Sequence, residues 1–271
     1  MKNKTLVVAC SGGKDSTALA LWIQFESGLE NEQRFISCDT GHEHAWTYQH
    51  LDQLAVKLGQ PILKLRGEHT FIEMAVHKKR FPSAKARFCT GALKIEPSIK
   101  YLETVPDSVL LTGIRAEESP VRGRMAEWVE AEDAGHYNVP LWRPLLKWTI
   151  KDVIQCHKRN GMAMNPLYLK GASRVGCWPC IMSRKSDLKA AFIADPDLLD
   201  RLRGYERLVG GTFFYDGTIP AVLHRAEPYF RDSLPHASID AVNEWAMGED
   251  HEDQINIFAD PSCLSAYGLC E

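Results

Sequence analysis

The run Ser11-Gly12-Gly13-Lys14-Asp15-Ser16 holds the residues best suited to chemistry in this chain. An apolar stretch over residues 5–10 precedes it and reads as a buried strand; residues 16–26 follow with a helix-like pattern. Glycines let backbone N–H groups approach an anion, and a helix N-terminus adds partial positive charge. Lys14 adds a full charge able to reach a phosphate oxygen. The order is not GxxxxGK[ST], because the first glycine of that spacing is absent. Double glycines also make ordinary strand–helix turns, so the loop alone indicates an anion cradle.

The eight cysteines form a second set. Cys177-Trp178-Pro179-Cys180 is a CxxC, a turn that lets two sulfurs converge on one metal or cluster edge. The same spacing serves as a redox dithiol, usually opening the helix after the first strand of a thioredoxin-like unit. It also occurs incidentally. Thiolates need stabilising positive charge, and Arg174, Arg184 and Lys185 flank the pair. Cys89, at the start of a predicted helix, is the best third ligand, since helix N-termini stabilise thiolates. The fourth ligand stays open between Cys263 and Cys270, both in the tail. Cys10, Cys38 and Cys156 lie in predicted strands or a helix, where cysteine is usually a small hydrophobe.

Other residues suit an anionic substrate. Asp15 either caps the helix or orients the loop or a Mg²⁺ that bridges phosphates. Asp39 and Thr40 end a second strand, and Gly113 and Arg115 follow a fourth. Arg122 and Arg124 read either as loop residues that close over substrate or as solvated surface arginines. His77-Lys78-Lys79-Arg80, with Lys85 and Arg87, forms a basic patch interleaved with Phe81 and Phe88. It fits either a solvated loop or a polyanion-binding surface.

The elements that must position these residues alternate. Strand-like runs cover residues 5–10, 34–39, 60–65 and 108–112; helix-like stretches cover 16–26, 45–58, 70–78 and 90–102. Such alternation predicts an α/β fold, a doubly wound parallel sheet with helices on both faces. Ligands bind beyond the carboxyl ends of such strands, where the loop, Asp39-Thr40-Gly41 and Gly113-Ile114-Arg115 all fall. After about residue 140 the pattern changes. Thr149 with Asp152 predicts a capped helix, Asn165-Pro166 ends it, and helices over 186–193 and 197–209 precede a less regular tail. We expect a nucleotide-binding and cysteine-bearing domain over residues 1–185 and a helical, irregular extension over 186–271.

Bulk properties narrow the class. At 271 residues, with 45% hydrophobic and 25% charged content, the chain has the make-up of a soluble protein. No apolar run approaches a membrane span, and the first residues lack a signal-peptide pattern, so a cytoplasmic location is expected. A net charge of −3 does not attract nucleic acid over the whole surface; any such binding needs a local patch.

Six ordered segments together resemble the phosphoadenylyl-sulfate reductase and PP-loop ATP pyrophosphatase superfamily. They are residues 11–16, Asp39-Thr40-Gly41-His42-Glu43, Phe88-Cys89-Thr90 with Lys94-Ile95-Glu96-Pro97, Gly113-Ile114-Arg115-Ala116-Glu117-Glu118-Ser119, Asn165-Pro166-Leu167-Tyr168 and Gly176-Cys177-Trp178-Pro179-Cys180. Pro144-Leu145 and Trp148-Thr149 fall between them, and the pattern is most similar to the iron–sulfur ATP pyrophosphatases of DNA phosphorothioation. The resemblance implies an adenine nucleotide α-hydrolase-like fold and cleavage of ATP into AMP and pyrophosphate. It implies ATP and Mg²⁺ at residues 11–16, with Asp39, Thr40, Gly113 and Arg115, and catalytic roles for Lys14, Asp15 and Arg115. It also implies a [4Fe–4S] cluster on Cys89, Cys177, Cys180 and Cys270, with zinc as the alternative.

The leading expectation is adenylation of an acceptor, nucleic acid or small molecule, for transfer of sulfur from a donor. One alternative is an adenylyl-sulfate or phosphoadenylyl-sulfate reductase served by a thioredoxin-like reductant; another is a nucleotide-binding module with structural zinc. Dedicated reductases of this family have a degenerate phosphate loop and a C-terminal Glu-Cys-Gly-x-His motif. Here the loop is intact and the tail reads Tyr267-Gly268-Leu269-Cys270-Glu271. A Cys89-Thr90 pair stands where cluster-bearing reductases have two adjacent cysteines.

Overall fold

The computed structural model describes residues 3–248. The expected ligand Cys270 and its alternative Cys263 lie outside the described residues. Six strands form one sheet: β1 (Thr5–Ala9), β2 (Gln33–Asp39), β3 (Ile62–Arg66), β4 (Ser108–Leu111), β5 (Trp128–Val129) and β6 (Leu141–Trp142). Their spatial order is β3-β2-β1-β4-β6-β5. All neighbours are parallel except β5, which runs antiparallel to β6 at the edge. The chain adds strands outward from β1 to β3, then returns to the other side of β1 for β4. That reversal opens a crevice at the carboxyl ends of β1 and β4.

Side-chain alternation along β1 shows why both faces are covered. Leu6 and Val8 enter one core with Leu19 of α1 (Lys14–Phe25) and Leu54 of α2 (Ala45–Leu58). Val7 and Ala9 enter another with Leu102, Leu110 and Tyr137. A period of two sends successive residues to opposite faces, and helices seal each one.

The expected helices form with ends shifted by a few residues. α3 (Phe71–His77) starts with a capping box in which Thr70 and Glu73 bond each other's backbone. The stretch expected over 90–102 begins earlier as α4 (Phe88–Thr90). It passes through a π-helical turn (Gly91–Ile95) and ends as α5 (Glu96–Leu102). A short α6 (Pro120–Gly123) precedes α7 (Ile150–Arg159), which carries the expected Thr149–Asp152 capping box.

The second half holds α8 (Lys185–Ala194), α9 (Leu198–Val209) and α10 (Ile239–Met247). They share a third core with α3 and the cysteine turn, joining Phe71, Trp178, Leu188, Leu202 and Val242. α10 was expected to be irregular, yet Ser238 caps it and Ile239, Val242 and Ala246 bury one stripe. β5 and β6 are two residues each, too short to show a period. No helix among the described residues is long and apolar enough to cross a membrane.

Candidate nucleotide and cysteine site

The phosphate loop connects β1 to α1 at the crevice. Its two serines close it: Ser11 Oγ lies 2.9 Å from Ser16 Oγ, and Ser11 N–H donates to Ser16 Oγ at 3.1 Å. Gly12 has φ +82°, and a Cβ there would lie 2.8 Å from Thr47 Cγ2, so only glycine fits. Gly113, just after β4, packs on the loop from behind. A Cβ there would lie 2.9 Å from the Asp15 backbone. Its place is one of close approach between two backbones.

Residues far along the chain grip this loop. Buried Asn165 donates from Nδ2 to Gly12 O at 3.2 Å and to Thr47 Oγ1 at 3.3 Å. The Tyr168 hydroxyl oxygen accepts from Lys14 N–H at 3.0 Å. His157 of α7 places Nε2 2.8 Å from Lys14 O and Nδ1 3.2 Å from Met162 O. The Asn-Pro-Leu-Tyr segment, legible in sequence as a helix breaker, is thus an anchor of the anion cradle. His157 carries no local sequence signal and becomes visible only through α1–α7 packing.

Asp15 is fully buried and organises the cations. One oxygen pairs with Lys14 Nζ at 2.8 Å, and the other takes the Arg115 guanidinium. Arg115 also reaches Glu117 at 2.7 Å. Burial works against the Arg115 charge, but Asp15, Glu118 and Glu117 outweigh it and raise its pKa. Lys14 Nζ also sits 5.3 Å from the Tyr168 ring centroid. The three expected catalytic residues therefore form one buried network. Arg122 is buried and pairs with Glu118 at 2.5 Å, while Arg124 is exposed at the end of α6.

A pocket opens in front of the loop, lined by Ser11, Ser16, Cys38, Asp39, Glu43 and Tyr48, with Lys64, Lys94 and Gly176. Asp39 accepts from Tyr48 O–H at 2.7 Å, Arg66 Nη2 at 2.7 Å and Gly41 N–H at 3.0 Å. Burial opposes its charge, but these donors outweigh burial and hold its pKa below the usual carboxylate value. Thr40 donates its hydroxyl to Glu43 at 2.6 Å.

A second cavity adjoins the first, with Lys94 and Gly176 lining both. Cys89, Cys177 and Cys180 all line it, with Arg87 and Arg174. The CxxC turn reaches this place by docking on residues 40–43. Glu43 and Cys177 form an antiparallel bridge, and Trp178 N–H donates to His42 O at 2.7 Å. Buried His42 Nε2 lies 3.2 Å from Pro179 O, and burial pushes its pKa down to about 4, so it stays neutral. Thr40 Oγ1 lies 3.7 Å from Cys177 Sγ, and both residues line the second cavity.

The expected third ligand is therefore brought to the CxxC pair. Among the described residues, no three His, Cys, Asp or Glu side chains gather into a metal site. Cys10 and Cys156 are buried packing residues as expected, and burial beside Glu26 pushes the Cys156 thiol up to about 12. Cys38 contacts Ser98 Oγ at 3.4 Å and also faces the first pocket.

The basic patch is exposed over residues 77–80, and the Phe88 ring lies between Lys78 (5.3 Å) and Arg80 (5.5 Å). Cys89 follows Phe88 directly, so the patch ends at the second cavity.

Comparison with known proteins agrees with this architecture. An uncharacterized 37.8 kDa protein of Escherichia phage 186 is 32% identical, covering 98% of this chain and 96% of that protein. An adenosine 5′-phosphosulfate reductase of Anoxybacillus flavithermus is 27% identical over 65% of this chain and 72% of its own length. The crystal structure of a phosphoadenylyl-sulfate reductase from Candida auris, in a phosphate complex, matches with a TM-score of 0.50. Its sequence identity is 19%, covering 65% of this chain and 82% of that one, and it shares the fold. Residues 5–183, which include the phosphate loop and the three cavity cysteines, match the model of the phosphoadenosine phosphosulfate reductase domain, and the chain belongs to that family.

Proposed function

We propose that this protein cleaves ATP at the α-phosphate and adenylates an acceptor oxygen for subsequent sulfur transfer. The observation that carries the reading is the shared wall. An intact phosphate loop with Lys14, Ser11 and Ser16 stands beside a cavity holding Cys89, Cys177 and Cys180, with Lys94 and Gly176 lining both. Loop N–H groups, the α1 N-terminus and Lys14 would bind the phosphates and stabilise charge as pyrophosphate leaves. Arg115 would hold the buried Asp15 carboxylate, and through it Lys14, in place behind the loop. The acceptor oxygen loses its proton and bonds to the α-phosphorus as the bond to the β-phosphate oxygen breaks. A sulfur donor then displaces AMP from the activated acceptor.

Mg²⁺ would bind through the phosphates, with Asp39 and Glu43 the carboxylates on the pocket wall. The thiols of Cys89, Cys177 and Cys180 have the chemistry of cluster or zinc donors, and Arg87 and Arg174 line the same cavity. We assign them to a [4Fe–4S] cluster with Cys270 as fourth ligand, zinc being the alternative. When bound, such a cluster supplies electron and sulfur chemistry that side chains lack.

The test is anaerobic purification with iron, sulfide and zinc analysis, followed by incubation with ATP labelled at the α-phosphate. AMP and pyrophosphate are expected in equal amounts; ADP as product overturns the reading. A second reading, sulfonucleotide reduction, is favoured by the similarity to adenosine 5′-phosphosulfate reductases. Sulfite release from adenylyl sulfate, abolished in Cys270→Ser, would establish it instead.

A further inference from the structure

We propose that the cleft between residues 79–83 and residues 210–215 is a docking surface for single-stranded nucleic acid. The proposal deepens the reading above and rests on it for the acceptor's role, since a polynucleotide offers the oxygen to be adenylated. Lys79, Arg80 and Ser83 line one wall; Thr212, Tyr215 and Arg231 line the other. Arg231 ties the walls together, donating to Lys79 O at 2.8 Å and to Val209 O at 2.5 Å.

Charge is the first argument. Lys78, Lys79, Arg80 and Lys85 are all exposed, and none pairs with a carboxylate among the described residues. On the helical half, three arginines are paired: Arg201 with Asp195 at 2.6 Å, and Arg203 and Arg225 with Asp240 and Glu244. A chain of net charge −3 that concentrates unpaired cations on one short segment presents a local anion surface. A mononucleotide held at the phosphate loop has no use for four cations outside its pocket.

Shape is the second. Tyr215 is 40% exposed at the cleft, and its ring lies so close to Gly217 that a Cβ there would sit 2.4 Å from it. An exposed ring with a fixed backing is a platform for a base, and cations beside it suit the backbone. Asp216 and Asp232 also line the cleft, but each contacts His236, at 2.8 and 2.9 Å. Hydrogen bonding to Asp216, and less to Asp232, raises the His236 pKa and occupies both carboxylates on the imidazole.

Position is the third. Lys78 and Arg80 flank Phe88, and Cys89 next to it lines the cysteine cavity. Arg80, which lines the cleft, thus packs on the residue next to one that lines the cavity where sulfur would be handled. A membrane surface or an acidic protein would not need a concave cleft with a single exposed ring.

The experiment uses the full chain, purified anaerobically, and a fluorescein-labelled 12-nucleotide strand of DNA or RNA, with the matching DNA duplex. Anisotropy titrations at several salt concentrations read affinity. Single strands should bind, with a log–log salt slope of about −2 to −3 for three or four phosphates. The double variant Lys79→Gln/Arg80→Gln should weaken binding at least about tenfold and flatten that slope. Tyr215→Ala should cost about tenfold, and Tyr215→Phe should restore it. Absence of binding, salt-independent binding, preference for the duplex, or unchanged affinity in both Lys79→Gln/Arg80→Gln and Tyr215→Ala overturns the proposal. ATP cleavage is measured on the same wild-type sample. Cleavage without strand binding removes this inference alone, and strand binding without cleavage removes the adenylation reading alone.

Discussion

The phosphate loop and the cysteine cavity adjoin but are built differently. Six consecutive residues make the loop, closed by its own Ser11–Ser16 hydrogen bond and clamped by Asn165, Tyr168 and His157. The cavity joins a cysteine at the start of α4 to a turn that docks on residues 40–43. The loop is shaped by local geometry, because backbone N–H groups at a helix start need only glycines and a short spacing. The cavity is a site only by assembly, because thiols far apart in sequence must be carried together by other elements. A local site tolerates change in its surroundings, whereas an assembled one depends on its supports.

Replacing Lys14 should test the local site most severely. Lys14→Ala removes the positive side chain of the loop and should lower ATP cleavage by about 10²–10³-fold, read by pyrophosphate release. A loss below about threefold would mean that backbone amides alone hold the phosphates.

Two cysteine variants separate assembly from packing. Cys177→Ser should lose bound metal in anaerobic preparations, measured as iron or zinc per chain. Cys156→Ala should keep it and cost about 1 kcal/mol of stability, since Cys156 is buried against α1 and lines neither cavity. Equal metal content in both would dissolve the distinction between lining and packing cysteines.

Asn165→Ala sharpens how far the loop depends on its clamps. The Gly12 carbonyl would lose a buried donor, at a cost of about 1–3 kcal/mol in denaturant unfolding. The KM for ATP should rise more than kcat falls. An unchanged KM would show that the loop holds its shape alone.

Glu206 tests the support of the cavity. It is fully buried in α9, accepting from Phe213 N–H, Ile239 N–H and Tyr229 O–H. Burial nevertheless raises its pKa from 4.5 to about 7. The folded state then holds the proton more tightly than the unfolded one. The stability this contributes is full below about pH 4.5 and lost as pH rises through about 7. The gap in melting temperature between wild type and Glu206→Gln should change across that window; a constant gap would show no change in Glu206 protonation on folding.

Much of this was legible because it is periodic or local. The four longer strands, most of the helices and the Thr149–Asp152 cap follow from alternation, helical spacing and capping residues. The short strands β5 and β6 were not, since two residues show no period, and β5 made the sheet mixed rather than wholly parallel. α10 had its signal in Ser238 and the apolar stripe behind it, but the less regular residues before it obscured the start. At the site, Lys14, Asp15 and Arg115 were legible as residues. That Asp15 binds both cations was not, because Arg115 comes from another strand end.

The sequence by itself determined the anion cradle, the α/β alternation and the family, because each is written in short spacings or ordered motifs. Tertiary structure alone decided that His157, Asn165 and Tyr168 hold the loop, and that Cys89 lines one cavity with Cys177 and Cys180 beside it. The reason is physical: a hydrogen bond or a shared cavity between distant residues depends on how helices and sheet pack, and packing leaves no period in the chain.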